Sequence, residues 1–389
     1  MTDILVLGGG FAGFWAALAA RRVAGENAEI ALVSRAPVFE MRPRLYEAHP
    51  ETLGVDIREP LRAAGIGFIE GEATGLDVAA RKLMLAGGSA LGYRRLVIAT
   101  GSALRRPPVP GADRAFSIDT QAEAIRFDRR LAEIAGEKGA TVAIIGAGFT
   151  GIELALELRD RIEVHGGEGE RLRVVLIDRA PEIGTELGTN PRPVIQAALD
   201  AAGVECRMGS AMTAIADDGV SLADGTRIAA DAVVLTCGMA ASDFTRHVPG
   251  ERDALGRLVV DRRLRAPAAS GVFVTGDAAA ADTGDGHLAL QSCQHALQLG
   301  RFAGENAARD LLAMPLIDYA QPRYGTCLDL GRFGAMRTLG WDRQVLEAGP
   351  ETKERKRLIN TKLIYPPPGA TTATLLAMSS TDMTQQGRP

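Results

Sequence analysis

The sequence predicts an α/β fold: two three-layer units with parallel sheets, the second inserted into the first, and a small α+β cap at the C-terminus. Three observations predict it. Residues 4–13 (ILVLGGGFAG) form an apolar strand running into G-x-G-x-x-G and then an Ala-rich helix. Residues 142–151 (VAIIGAGFTG) repeat that order. Two more apolar strands ending in small-residue turns, LVIATG at 96–101 and VFVTGD at 272–277, stand on either side of the second glycine unit. Each glycine unit puts a helix N-terminus, with free N–H groups and the positive end of its dipole, where a pyrophosphate can sit. Two such units mean two dinucleotides in one chain, which points to electron transfer between them.

Composition narrows the class. A chain of 389 residues allows two or three domains with sizeable cores. A net charge of −4 gives no case for nucleic acid as a partner. The four cysteines, Cys206, Cys237, Cys293 and Cys327, form no C-x-x-C or other close pair. That argues against a disulfide framework and a zinc ribbon, leaves no metal site to expect, and fits a reducing cytosol. A strand that starts by residue 3 leaves no room for a signal peptide. No uncharged apolar run reaches about 18 residues, so no transmembrane segment is expected and the chain reads as cytoplasmic.

Along the chain, 3–8 reads as a buried strand, 11–23 as a helix and 29–33 as the second strand. Residues 35–47 read as a loop leading into a short helix, 55–65 as a helix and 67–70 as a strand. Alternation over 72–85, with Gly87-Gly88 and Gly92 as turn signals, predicts a hairpin before the strand of 96–101. Prolines at 107, 108 and 110 make 105–111 the clearest linker. A helix over 119–135 precedes the second unit. That unit has a strand from 141, helix 150–162, strand 172–177, helix 190–202, strand 204–208, hairpin 213–229 and closing strand 231–236. Residues 258–261 and 272–277 return to the first unit, a long helix runs over 289–312, and 316–370 forms the cap. The tail from Ser379 is polar and expected to be disordered. The domains are therefore 1–110 with 240–312, then 111–239, then 313–389.

Gly8, Gly10 and Gly13 serve the tight turn, the close approach of a pyrophosphate and helix–strand packing, with Phe11 and Ala12 opening the helix. An acidic residue commonly ends the second strand to bind a ribose; here Ser34 stands there, followed by Arg35. Ser34 can still hydrogen-bond a ribose, more weakly than a carboxylate, and Arg35 can lie against adenine or in solvent. The second unit has Gly146, Gly148, Thr150 and Gly151, then Glu153 on the same helix, and ends its second strand in Asp178 and Arg179. The carboxylate position favours NADH; the arginine leaves NADPH open.

On these motifs the chain resembles the two-dinucleotide flavoprotein reductases of the glutathione reductase type. Within them it is most similar to type II NADH dehydrogenases and to apoptosis-inducing-factor-like or ferroptosis-suppressor-like quinone reductases. The marks are GGGFAG at the start, RPRLYE (42–47), LVIATGS (96–102), GAGFTGIELA (146–155) and VFVTGDAA (272–279), over roughly 1–335. The resemblance implies a glutathione-reductase-like pair of Rossmann-like domains, with FAD on the first unit and NAD(P)H on the second. It places Gly276 and Asp277 at the ribityl or pyrophosphate region and Ala99, Thr100 and Gly101 along the flavin. The backbone near Ala73 would meet the adenine. Arg42 and the Cys237-Gly238 turn fall among the cofactor contacts.

Disulfide reductases of this type need a cysteine pair soon after the first unit, and 35–50 contains no cysteine. Electrons must then leave the flavin directly, with Cys237 and Cys293 as small apolar residues. In type II NADH dehydrogenases, A-Q-x-x-x-Q-Q on the long helix lines the quinone site. Gln294 and Gln298 keep the i, i+4 pair on one helical face, while Cys293 and Leu299 depart from it. Gln291 is a looser candidate and His295 a helix residue beside the site. Glu153 stands where relatives contact nicotinamide or flavin.

The C-terminus lacks the amphipathic Trp- and Leu-rich helices of membrane-bound relatives. It has Trp341-Asp342-Arg343, a charged run at 353–357 (KERKR), and Ile364-Tyr365-Pro366-Pro367. The basic run reads as a solvated helix face, with weak contact to an anionic membrane surface as the alternative. The expected activity is FAD-dependent transfer of hydride from NADH to a quinone or quinone-like acceptor. Other readings are reduction of a ferredoxin-type carrier, a specialised small-molecule oxidoreductase, and an NADH-sensing protein like apoptosis-inducing factor. A homodimer is left open.

Overall fold

A computed structural model describes residues 1–137, 139–366 and 369–384. Its largest sheet has seven strands. Gly67–Glu70, Ile30–Ser34, Thr2–Leu7 and Ala90–Ile98 pair in parallel in that order, and Val272–Val274 joins Ala90–Ile98, also in parallel. Ile4, Leu5 and Val6 have no exposed surface, as a parallel strand covered on both faces requires. The hairpin Ala73–Asp77 and Lys82–Leu85 extends the sheet antiparallel. A second, five-stranded parallel sheet runs Phe116–Ser117, Ala232–Leu235, Thr141–Ile145, Arg173–Ile177, Glu205–Arg207. Its hairpin region is a three-stranded meander, Met212–Ala216, Gly219–Leu222 and Arg227–Ala229. The cap is an antiparallel sheet of Gly325–Asp329, Ala335–Leu339 and Gln344–Gly349 with a helix against it. The fold is α/β with two parallel sheets, as expected.

The helices are α1 (Phe11–Ala24), α2 (Arg58–Ala63), α3 (Gln121–Ile134), α4 (Phe149–Val164), α5 (Arg192–Ala201), α6 (Cys293–Leu311), α7 (Pro350–Leu358) and α8 (Thr372–Met378). The Thr120 hydroxyl accepts from the Glu123 N–H and starts α3 at 121 rather than 119. Likewise Ser292 caps α6 by accepting from the His295 N–H, so that helix begins at Cys293 and not at 289.

Other local expectations are corrected. The 35–47 loop contains the strand Val38–Glu40, which pairs antiparallel with Gly54–Asp56. That pairing takes the first part of the helix expected over 55–65, and Asp56 accepts from the Arg58 N–H to start the short α2. Within the return to the first unit, the strand is shorter than the 258–261 read from the sequence: Leu258–Val259 alone pairs, in parallel with Ala279–Ala280. The tail is ordered through Thr384: Ser379 is buried, and Thr381 donates its hydroxyl to Glu305 at 3.1 Å. Residues 385–389 and Pro367 lie outside the described residues.

α1 and α6 pack with almost no clearance. A Cβ on Gly300 would lie 2.2 Å from the Ala12 carbonyl oxygen, and one on Gly304 2.0 Å from that of Ala16. Two glycines one helical turn apart thus let α6 rest directly on the backbone of α1. Gly304→Val is expected to force the helices apart and to cost about 1–3 kcal/mol or more by overpacking. Chemical denaturation of the variant against wild type measures that loss.

Candidate functional site

The C-terminal ends of both parallel sheets, with the N-termini of α1, α4 and α6, open on one cleft of about 3310 Å³. That is several times the size of an ordinary single-ligand pocket. Gly8, Gly10, Phe11, Ala12, Ser34, Arg35, Arg42, Ala73, Ala99, Thr100, Gly101 and Asp277 line it from the first unit. Gly146, Gly148, Thr150, Glu153, Asp178, Arg179, Cys237 and Gly238 line it from the second, and Gln294 and Gln298 from α6. Three expected contacts do not reach its wall. A Cβ on Gly13 would sit 1.8 Å from the Gly8 carbonyl oxygen and one on Gly151 1.9 Å from that of Gly146, so both serve helix–strand packing. Gly276 is pressed against Ala12 in the same way, at 2.7 Å.

The first unit fits a flavin dinucleotide. Gly8 has φ +111°, and a Cβ there would lie 2.2 Å from the Ala99 carbonyl oxygen, so only glycine makes this turn. A Cβ on Gly10 would meet nothing within 4 Å, and no side chain caps the N-terminus of α1. The cradle therefore faces open space with its N–H groups free. The Thr100 hydroxyl is buried without a hydrogen-bond partner among the described residues, as a group awaiting a ligand would be. Ser34 lies under the turn, and its Oγ would be 3.0 Å from a Cβ on Gly9. Arg35 is exposed. Asp277 is held by the Ser102 hydroxyl, which donates to Oδ2 at 2.6 Å. Burial pushes its carboxyl up, against the pull of Arg42 at 4.0 Å. Arg42 also donates to the Asp119 carbonyl at 3.0 Å and to the Ser102 hydroxyl at 3.2 Å, residues on either side of the 105–111 linker.

The second unit repeats the turn, with Gly146 at φ +118°. Asp178 accepts from the Ala147 N–H at 2.6 Å and from the Ala180 N–H at 2.8 Å. Oδ2 therefore braces the glycine turn and Oδ1 the loop that follows Asp178, and one lone pair on each remains for a ribose. Arg179 beside it is exposed. Gly238 has φ +82°, and the Cys237 thiol points back to the Ile145 carbonyl at 3.2 Å. Burial pushes the Cys237 and Cys293 thiols up to about 11, as suits inert side chains.

A buried charge cluster closes the cleft on the cap side. The Glu153 carboxylate accepts from Lys356 Nζ at 2.8 Å and from the Asp329 N–H at 2.9 Å. Lys356 also donates to the Cys327 carbonyl at 2.6 Å and lies 5.5 Å from the Phe149 ring centre. Tyr46 donates to Asp329 at 3.1 Å. Burial dominates at Glu153, which is 4% exposed, and pushes its carboxyl up to about 7. One turn on, burial brings Glu157 to about 7 as well. Burial pulls the Lys356 ammonium down, but Glu153, with Cys327 and Asp329, holds it above the ordinary lysine value.

Across the cleft, the Gln294 amide has no hydrogen-bond partner among the described residues, whereas Gln298 Oε1 accepts from Arg301 at 3.3 Å. Gln291 is spent on the Asp277 carbonyl at 3.2 Å. His295 is fully buried between Ser292 and the Tyr324 ring, and burial pushes its imidazole down to about 4. It is neutral near pH 7 and supports the site from behind.

Residues 2–300 match the family model of the pyridine nucleotide-disulphide oxidoreductases. The chain belongs to this family. It is an oxidoreductase that works with FAD and a pyridine nucleotide. It is 42% identical to an NADH dehydrogenase-like protein of Mycobacterium tuberculosis over 98% of each chain. It is 30% identical to the demethylphylloquinone reductase of Synechocystis sp. over 92% of each. The fold superimposes on the sulfide:quinone oxidoreductase of Aquifex aeolicus with a TM-score of 0.77 at 18% identity, covering 92% of this chain and 90% of that one. This member of the disulphide oxidoreductase family has four free cysteines and no cysteine pair after its first glycine unit.

The run 353–357 is solvated on one side only, where Glu354 and Arg357 are exposed. Lys356 is 5% exposed, and Lys353 pairs with Asp329 in the same cluster. Periodicity could not reveal this, because the inward stripe of this segment, Thr352, Lys356 and Asn360, contains no apolar residue. Tyr46 lay within the quoted RPRLYE stretch without a role of its own. No helix among the described residues is long and apolar enough to cross a membrane, and no group of His, Cys, Asp or Glu there could hold a metal ion.

Glu153 makes stability fall with pH. Its folded-state value of about 7 lies above its ordinary value of 4.5. Its stabilising share is therefore complete below about pH 4.5 and lost as pH rises through about 7. Wild type should lose thermal stability relative to Glu153→Gln between about pH 5 and pH 8. Melting curves across that range check the sign.

Proposed function

We propose that the protein oxidises NADH and passes the two electrons through FAD to a quinone or a quinone-like small molecule. The observation that carries this reading is that Gln294 and Gln298, one turn apart on α6, line the same cleft as both glycine turns and Glu153. The name of the Synechocystis relative, a demethylphylloquinone reductase, supports the acceptor class. FAD supplies a ring that takes a hydride from NADH and releases two electrons to the acceptor.

The chain's own residues bind and orient. The N-terminal N–H groups of α1 would hold the pyrophosphate of FAD and those of α4 that of NADH. Asp178 keeps an acceptor for the NADH ribose, which favours NADH over NADPH. Gln294 offers a free amide to a quinone carbonyl, and Gln298 stands one turn behind it. Net oxidation of NADH by a quinone takes up one proton from solvent. Glu153, raised to about 7 and fixed in position by Lys356, can take up or release a proton at its carboxyl near neutral pH. Holding the reacting rings of bound FAD and NADH in place would lower the barrier by positioning alone, with no side-chain nucleophile.

Anaerobic mixing with NADH should bleach the flavin band quickly, and a short-chain quinone should restore it quickly. Bleaching that quinone does not reverse overturns the acceptor. Gln294→Ala should raise the KM for quinone by about two- to tenfold, the worth of one hydrogen bond, and leave the NADH bleaching rate unchanged.

A further inference from the structure

The two glycine units end in helices that the structure treats differently. The N-terminus of α1 has no side-chain cap. At α4 the Phe149 N–H donates to Glu186 Oε1 at 3.1 Å. A Cβ on Gly148 would lie 2.4 Å from that same oxygen, where one on Gly10 would meet nothing within 4 Å. The Glu186 carboxylate therefore sits over the N-terminal glycine of α4, on the side from which a pyrophosphate would approach.

Glu186 is exposed, lines the cleft and has no ion pair among the described residues. It rides on the single turn Thr185–Leu187, flanked by Gly184 at φ +58° and Gly188 at φ +79°. Ile183 and Leu187 on either side of it are buried, and the Gly184 N–H donates to the Ala147 carbonyl at 3.0 Å. The base of the turn is thus fastened to the glycine loop itself while the carboxylate is free to swing.

We propose that Glu186 is a built-in competitor for the dinucleotide pyrophosphate and so sets the affinity of the second unit. This rests on the reading of that unit as the NADH site. A carboxylate and a pyrophosphate are both anions and satisfy the same N–H groups, so one must leave for the other to bind. The dinucleotide gains the helix terminus only after displacing Glu186. As oxidised product leaves, the carboxylate re-enters the seat and opposes rebinding. Glu186 acts here as an affinity-setting residue and touches no reacting atom.

The test is equilibrium binding of ADP-ribose and of adenosine to the FAD-saturated protein, as wild type, Glu186→Gln and Glu186→Ala. Glu186→Ala should bind ADP-ribose about two- to fivefold more tightly, the worth of one charge at a helix terminus. Glu186→Gln, which keeps an acceptor oxygen but no charge, should fall between. Adenosine has no pyrophosphate and should bind all three alike. Unchanged or weaker ADP-ribose binding by Glu186→Ala, with normal binding by wild type, overturns this inference alone. A gain for adenosine equal to that for ADP-ribose overturns it too, since the carboxylate would then be blocking space and not competing for the anion seat. Failure of all three proteins to bind ADP-ribose overturns the NADH-site reading, and the inference with it. Retained flavin absorbance shows that each variant is folded.

Discussion

The seating of α6 on α1 sets the geometry of everything else. Gly300 and Gly304 lie on the carbonyls of Ala12 and Ala16, so neither helix can slide without a backbone clash. Ala12 belongs to the first glycine turn and lines the cleft. Gly300 lies two residues beyond Gln298. One rigid contact therefore fixes the distance between the first glycine turn and the cleft-lining Gln298 of α6. The same logic recurs at Gly13 and Gly151, where a helix meets the strand before it through a missing side chain. Cleft geometry in this protein is a matter of backbone-on-backbone packing, which tolerates no adjustment by rotamers.

This explains which parts of the chain could be read from its sequence. Where geometry demands glycine, the demand is local and leaves a motif, so both nucleotide turns and their strands were legible. Strands buried on both faces were legible from their unbroken apolar runs. Short elements that exist only by pairing with a distant partner were not. Val38–Glu40 and Gly54–Asp56 need each other, and neither carries a period long enough to declare itself. The start of α6 was misplaced for the opposite reason: its cap is a serine within a polar run, where several residues could have served.

The site divides along the same line. The positions of the two turns on the cleft were legible because their backbone geometry demands glycine at Gly8 and Gly146. The Glu153–Lys356 pair was half legible. Glu153 follows its motif at fixed spacing, whereas Lys356 arrives from the cap, more than 200 residues on, within a run that looks like ordinary surface charge. Its burial is decided by Asp329 and Cys327 on another element, and no local pattern encodes that. Glu186 was invisible for a similar reason, since its importance lies wholly in which helix end it covers.

The strand Val272–Val274 has a consequence for biosynthesis. It completes the large sheet beside Ala90–Ile98, yet all five strands of the second sheet lie between residues 116 and 235. On the ribosome the inserted sheet therefore has every strand it needs while the older one still lacks its neighbour. The nascent chain must carry an open hydrophobic edge through the synthesis of an entire unit, and this is the interval in which a chaperone would find most to hold.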